Sequence, residues 1–285
     1  MSFMENIQSA INEAAEHTDM NEARKGGGDG PRIPVAGLVR LRFISYIETG
    51  EHEDEWKGQK RKQKKITLQF ELSGPKHPPL ELDDGRKLPF VITVNEKVSL
   101  TEKSGFYKLF KRMNHTGEYK HMAQMLGKEF LGTVVLKEVG EGAEKRTYAN
   151  LRDEGGYTIR PAYHEDLEGN SIKVEVQQPL TPLKCFIWDY ASKEMWDSIF
   201  IDGQWDDRKD DKGNIIEAGK SKNYYQLTIK SALNFAGSPI SNLLFEQAGD
   251  LDLGGAEQPD RSEADKQAGI EAKAGAAADP LEGVS

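Results

Sequence analysis

The stretch VAGLVRLRFISYIE, residues 35–48, alternates apolar and polar side chains. Val39, Leu41 and Phe43 fall on one face of an extended chain, and Arg40, Arg42 and Tyr46 on the other. A period of two is the signature of a half-buried strand. ITLQFEL, residues 66–72, repeats it with Ile66, Leu68, Phe70 and Leu72. Together they predict a long antiparallel hairpin joined through residues 49–65.

Working outward, LPFVITVNEKVSL (88–100) predicts a third strand with Phe90, Ile92 and Val94 on one side. The period then changes. KSGFYKLFKRMN (103–114) spaces Phe106, Leu109, Phe110 and Met113 as the apolar stripe of a helix. YKHMAQMLG extends or follows that helix and stops at Gly127. EFLGTVVLKEV (129–139) and KRTYANL (145–151) predict a second hairpin around GEGAE. Three strands, a helix and two strands predict a mainly β fold with few helices. The layout is that of a five-stranded OB-fold barrel with its helix between strands 3 and 4. A small antiparallel sheet with one helix would give the same order.

Residues 1–34 read as an N-terminal helix over 4–17 and a flexible linker, KGGGDGPRIP (25–34). The barrel core is expected over 35–180 and a helical, irregular extension over 181–246. In that region GYTIRPAY and SIKVEVQQP suggest strands, and SKEMWDSIF a short helix from Ser192. DGQWDDRKDDKGN reads as a polar loop, and SKNYYQLTIKSALNFAG as a helix ending at Gly237. Phe186, Trp188, Trp196, Trp205, Tyr224 and Tyr225 need cover, so the extension is expected to pack on the barrel. Residues 247–285 hold nine acids, three cations and no aromatic residue. Such a segment buries too little apolar surface to offset the entropy of ordering it, and reads as a disordered acidic tail.

The chain of 285 residues carries a formal net charge of −9, unevenly spread. Residues 31–150 hold 22 cations against 16 acids, while residues 151–285 hold 14 against 25. A basic block between acidic flanks suits a polyanionic partner. Six cations, Lys57, Lys60, Arg61, Lys62, Lys64 and Lys65, crowd into nine positions after Trp56. No apolar run approaches the roughly 18 residues of a membrane span. The acidic N-terminus does not resemble a secretory signal, so a cytoplasmic protein is expected. Cys185 is the sole cysteine, which excludes an internal disulfide and a cysteine-rich zinc site; it reads as a small buried hydrophobe. His52, His77, His115 and His121 form no ligand set, and neither cofactor nor metal is expected.

Single-strand binding needs cations that track phosphates and aromatic faces on which bases stack. Arg40, Arg42 and Tyr46 supply both on the first strand. Trp56 stands directly before the cations of the hairpin. Tyr107, Lys108, Lys111 and Arg112 lie on the helix, and Lys145, Arg146 and Tyr148 near the fifth strand. OB-folds use the connections between strands 1–2 and 4–5 for nucleic acid, and the hairpin tip is the first of these. The acids at 51–55 could also neutralise those cations across the hairpin.

GKEFLGTVVLKEVGEGAEKRTYANL, residues 127–151, resembles a segment of tailed-phage single-stranded DNA-binding proteins. The likeness rests on Gly127-Lys128 before an apolar strand and Tyr148-Ala149-Asn150 after the turn, and spans roughly 35–165. It implies an OB-fold core, sequence-independent binding of single-stranded DNA in replication or recombination, and an acidic tail that meets replication proteins. Such tails often end in an aromatic residue; this one ends DPLEGVS. Two other readings stand beside it. A non-enzymatic protein-interaction or virion-structural role would use the basic hairpin to clasp an acidic partner. A metal-dependent nuclease could use Asp83, Asp84 and Lys87, but the turn chemistry of Asp84-Gly85 explains the same residues. The residues favour a binding protein over an enzyme.

Overall fold

The computed structural model describes residues 32–249 except 57, 83, 142–144 and 211. The expected helix over 4–17, residues 25–31 of the linker and Lys57 lie outside the described residues. The tail expected from 247 begins within a helix that runs to Gly249, and the rest of it lies outside them too.

The fold is mainly β, with a large antiparallel sheet and few helices. Its first two strands are longer than expected. β1 spans Gly37–Trp56 and β2 spans Gln59–Ser73, paired from Arg40–Ser73 to Trp56–Gln59 with register shifts at Phe43/Ser45 and Glu48/Gly50. The expected connection over 49–65 is therefore a two-stranded ribbon that turns back between Trp56 and Gln59. Gly58, at φ 75°, supplies the left-handed conformation such a turn needs.

β3 (Phe90–Lys97) pairs with β2. Helix α1 (Gly105–Met113) follows. The Ser104 hydroxyl caps it by accepting from the Tyr107 amide, and Phe106, Leu109 and Met113 are buried beneath it. The next segment does not extend α1. Asn114 closes a turn with Tyr119, and Met122–Met125 forms a separate single turn of 3-10 helix. β4 (Glu129–Val139) then pairs with β1, and β5 (Arg146–Asn150) with β4. β6 (Arg160–Pro161) adds to the free edge of β4.

The five main strands thus run in the spatial order β5-β4-β1-β2-β3. Among the described residues no ladder joins β3 to β5, and the sheet stays open rather than closing as the expected barrel. β5 nevertheless lies against β3. Tyr157 Oη donates to Glu96 of β3 at 2.5 Å, and Arg152 approaches the same carboxylate at 3.7 Å.

Two hydrophobic clusters use opposite faces of β1. On the inner face Leu41, Phe43, Tyr46, Leu68, Phe70 and Ile92 pack with the stripe of α1. Each such side chain contributes roughly 1.5–3 kcal/mol through burial. On the outer face Ile47 joins Phe186, Trp188, Trp196, Tyr225, Ile229 and Ile240. The extension supplies these from β7 (Lys184–Phe186), which pairs parallel to β1, and from helices α2 (Lys193–Ser198), α3 (Tyr224–Lys230) and α4 (Pro239–Gly249). Ser192 caps α2, as its position in the sequence suggests. The polar loop expected at 202–214 contains one strand of a hairpin, Arg208–Lys209 against Ile215–Glu217. Trp205 and Tyr224 remain exposed rather than covered, at 63% and 46%.

Gly50 shows how closely the second cluster seats. Its φ is +91°, and an added Cβ would lie 2.3 Å from the Trp188 ring. No helix among the described residues is long and apolar enough to cross a membrane.

Candidate nucleic-acid interface

Pairing in the ribbon sets which charges meet. Residues directly opposite one another in an antiparallel ladder share a face. Glu51 stands opposite Lys64, Glu53 opposite Lys62 and Glu55 opposite Lys60. That face therefore carries three acids against three cations. Lys60 reaches Glu53 at 2.8 Å, and this contact raises the lysine's pKa. Asp54 stands opposite Arg61 on the other face, where Lys65 reaches it at 2.5 Å and Lys97 of β3 at 3.5 Å. The Asp54 side chain is nearly buried between them.

Two bulges in β1 rearrange the first strand. Phe43 pairs with Phe70, but Ser45 pairs with Gln69, so Ile44 has no partner. An extra residue flips every later side chain to the opposite face. Tyr46 accordingly turns inward instead of outward. It is 1% exposed, donates to Glu48 at 2.7 Å, and burial raises its pKa. It cannot stack on a base.

Arg42 does point outward, but it is 6% exposed. It pairs with Glu129 at 2.8 Å and donates to the carbonyls of Gly127, Val176 and Gln177. It is a clamp for the segment entering the extension, not a free cation. Glu71 beside it accepts from the amides of Leu180 and Thr181 at 2.7 and 2.8 Å. Arg40 stays half-buried on the same face.

The remaining candidates occupy separate elements. Lys108, Lys111 and Arg112 are exposed on α1, with Tyr107 half-buried. Lys145 pairs with Glu138 at 2.5 Å. Arg146 and Tyr148 are exposed on β5, where Ala149 packs on the core and leaves Tyr148 facing outward. Trp56 ends β1 at the ribbon turn. The predicted cations are distributed over β1, the ribbon, α1 and the start of β5.

What the fold does assemble is a polar face on the outside of β2 and β3. The alternation that sends Ile66, Leu68, Phe70, Ile92 and Val94 inward sends Lys65, Thr67, Gln69, Thr93, Asn95 and Lys97 outward. Thr67 donates to Asn95 at 2.9 Å, and Gln69 to Thr93 at 3.2 Å. Thr93, Asn95 and Lys97 are exposed. Glu71 closes this face at one end and Asp54 at the other; both carboxylates are already engaged. Between those ends the face presents amides, hydroxyls and two lysines that share one aspartate. The sequence held this signal in the outward positions of the same alternating runs.

The nuclease candidates form a small surface hairpin instead. Leu80–Glu81 pairs with Lys87–Leu88, Asp84 binds Arg86 at 2.6 Å, and Lys87 binds Glu81 at 2.9 Å. Asp83 lies outside the described residues. Among those described, no group of three or more His, Cys, Asp and Glu could hold a metal. Cys185 is half-buried in β7, and burial raises its pKa. A cavity of about 400 Å³ opens elsewhere, beside Tyr119, Lys128, Glu129, Tyr163 and Lys173; its lysine and glutamate at 173 and 129 pair at 2.6 Å. In comparisons with protein families, curated proteins and solved structures, nothing matches this chain.

Proposed function

We propose that this protein binds single-stranded DNA without regard to base sequence, on an OB-fold core, in replication or recombination of a tailed phage. The observation that carries the reading is the exposed polar face of β2 and β3, bounded by carboxylates that are already engaged. OB-folds bind nucleic acid on this face, flanked by the 1–2 and 4–5 connections. The ribbon is the first connection. The β4–β5 turn, with Arg146 and Tyr148 beside it, is the second. The strand order and the place of α1 support the OB-fold. In such a barrel β3 meets β5, and the Glu96, Tyr157 and Arg152 bridge spans that seam. The likeness of residues 127–151 to tailed-phage single-strand binders points the same way, and the acidic tail is then the element that meets replication proteins.

Lys65 and Lys97 supply phosphate contacts, and Tyr148 a stacking face worth about 1–3 kcal/mol. With three to five phosphates neutralised, the log–log salt slope is roughly −2 to −3.5. The test is a mobility shift with labelled oligo(dT), a duplex of equal length and a salt series. Tight, salt-dependent binding of oligo(dT) over duplex is expected; binding to neither removes the reading.

A second reading, a protein-interaction or virion-structural role, is favoured by one feature. Trp205, Ile215 and Ile216 are exposed together on and beside the hairpin at 208–217. Failure of DNA binding would leave this reading standing.

A further inference from the structure

Lys184 opens the parallel strand β7 and stands opposite Ser45 of β1. Ser45 in turn stands opposite Gln69, and Gln69 opposite Thr93. Side chains paired in this way share a face. Lys184, Ser45, Gln69 and Thr93 therefore make one row across four strands. At about 4.8 Å per strand the row is roughly 14 Å wide. It continues the polar face of β2 and β3 to the foot of the extension.

The ammonium at this position has unusual surroundings. Lys60, Lys65, Lys97 and Lys145 each have a carboxylate within 4 Å. Lys184 is half-buried, and no carboxylate of the described residues pairs with it. Its Nζ lies 5.7 Å from the centre of the Tyr225 ring, and burial lowers its pKa. Beside it the Ser45 hydroxyl is buried without a hydrogen-bond partner. A partly desolvated cation next to an unsatisfied hydroxyl is unfavourable in the free protein. An anion seated at Nζ would neutralise that charge; the Ser45 hydroxyl, with no exposed surface, is closed to a ligand. The Glu71 carboxylate, on the neighbouring row, is turned to the amides of Leu180 and Thr181 and does not serve.

We propose that Lys184 is a phosphate-binding residue, through which the C-terminal extension takes one backbone phosphate of the strand lying across β2 and β3. The assignment rests on the single-strand reading above, and it gives the extension a direct part in binding. It also explains why β7 joins β1 in parallel at this row: the pairing carries the lysine from a distant stretch of sequence to the edge of the polar face.

The test uses the full-length protein with Lys184→Gln, Lys184→Met and Lys184→Arg, titrated with oligo(dT) over a salt series. Loss of one phosphate contact makes the slope shallower by about 0.7, which corresponds to roughly eightfold weaker binding at 50 mM salt. The Arg variant keeps the wild-type slope. Gln and Met leave the thermal midpoint unchanged or raised, because each removes a poorly solvated charge. Met preserves the apolar stem over Tyr225 should Gln disturb packing. An unchanged slope in both neutral variants, with wild-type binding intact, overturns the role of Lys184 alone. A wild type that ignores oligo(dT) overturns the function and this assignment together.

Discussion

The ribbon at 50–65 and the outer face of β2 and β3 share strands but differ in electrostatics. The ribbon is where the sequence concentrates cations, yet its register sets an acid opposite four of the six. The sheet face looks unremarkable in sequence, with threonines, a glutamine, an asparagine and two lysines. At one end Glu71 is turned to backbone amides, and at the other a single aspartate, Asp54, is shared by Lys65 and Lys97. Charge density along a chain is therefore a poor guide to the field at a surface. Cross-strand pairing decides which charges survive.

The largest effect tests the wall beside that face. Arg42 ties the entry of the extension to β1, and truncating a buried ion pair leaves its partners unsatisfied. Arg42→Ala should lower stability by about 3 kcal/mol, read from urea unfolding. The value sits at the low end of the usual range because Glu129 keeps Lys173. An unchanged midpoint would mean that the extension does not depend on this clamp.

Lys65→Ala with Lys97→Ala should make the oligo(dT) salt slope shallower by about 1.4, and Lys60→Ala, Lys62→Ala and Lys64→Ala together by clearly less, despite one more charge removed. The reverse order would return the binding site to the ribbon. Converting Glu51, Glu53 and Glu55 to Gln sharpens the point from the other side. It unmasks three cations and should tighten oligo(dT) binding severalfold in low salt. Weaker binding would show that the acids hold the ribbon in shape rather than quench it.

The smallest effect lies in pH. Burial lowers the pKa of His52, whose ring nitrogen lies 2.9 Å from the Thr49 carbonyl oxygen. The Thr49 hydrogen bond and, less, Asp54 oppose the shift, while Lys65 adds to it. The unfolded chain then binds the proton more readily than the folded one. Stability is full above the ordinary histidine value of 6.5 and falls as pH drops below it, by at most about 1.4 kcal/mol per pH unit. His52→Gln should flatten that part of a thermal-midpoint profile against pH. A profile identical to wild type would assign the acid sensitivity to other groups.

Much of the inner core was legible. The alternation of Leu68, Phe70 and Ile92 and the helical spacing of Phe106, Leu109 and Met113 each report a local period, and local periods survive folding. The ribbon reads as a connection because its residues are polar on both faces, so no apolar stripe marks it as strand. Tyr46 faces inward against its alternation because a single unpaired residue at Ile44 inverts the count of faces. Arg42 read as a surface cation because its acceptors are backbone carbonyls far along the chain.

The sequence by itself determined a mainly β chain, a helix after the third strand, and the inward side chains of the central strands. These follow from repeating patterns within a dozen residues. Only the tertiary structure decided which acids cancel which lysines, which way Tyr46 turns, and that Lys184 stands in line with Ser45, Gln69 and Thr93. Those outcomes depend on register between distant segments, which a one-residue bulge shifts without altering the local pattern.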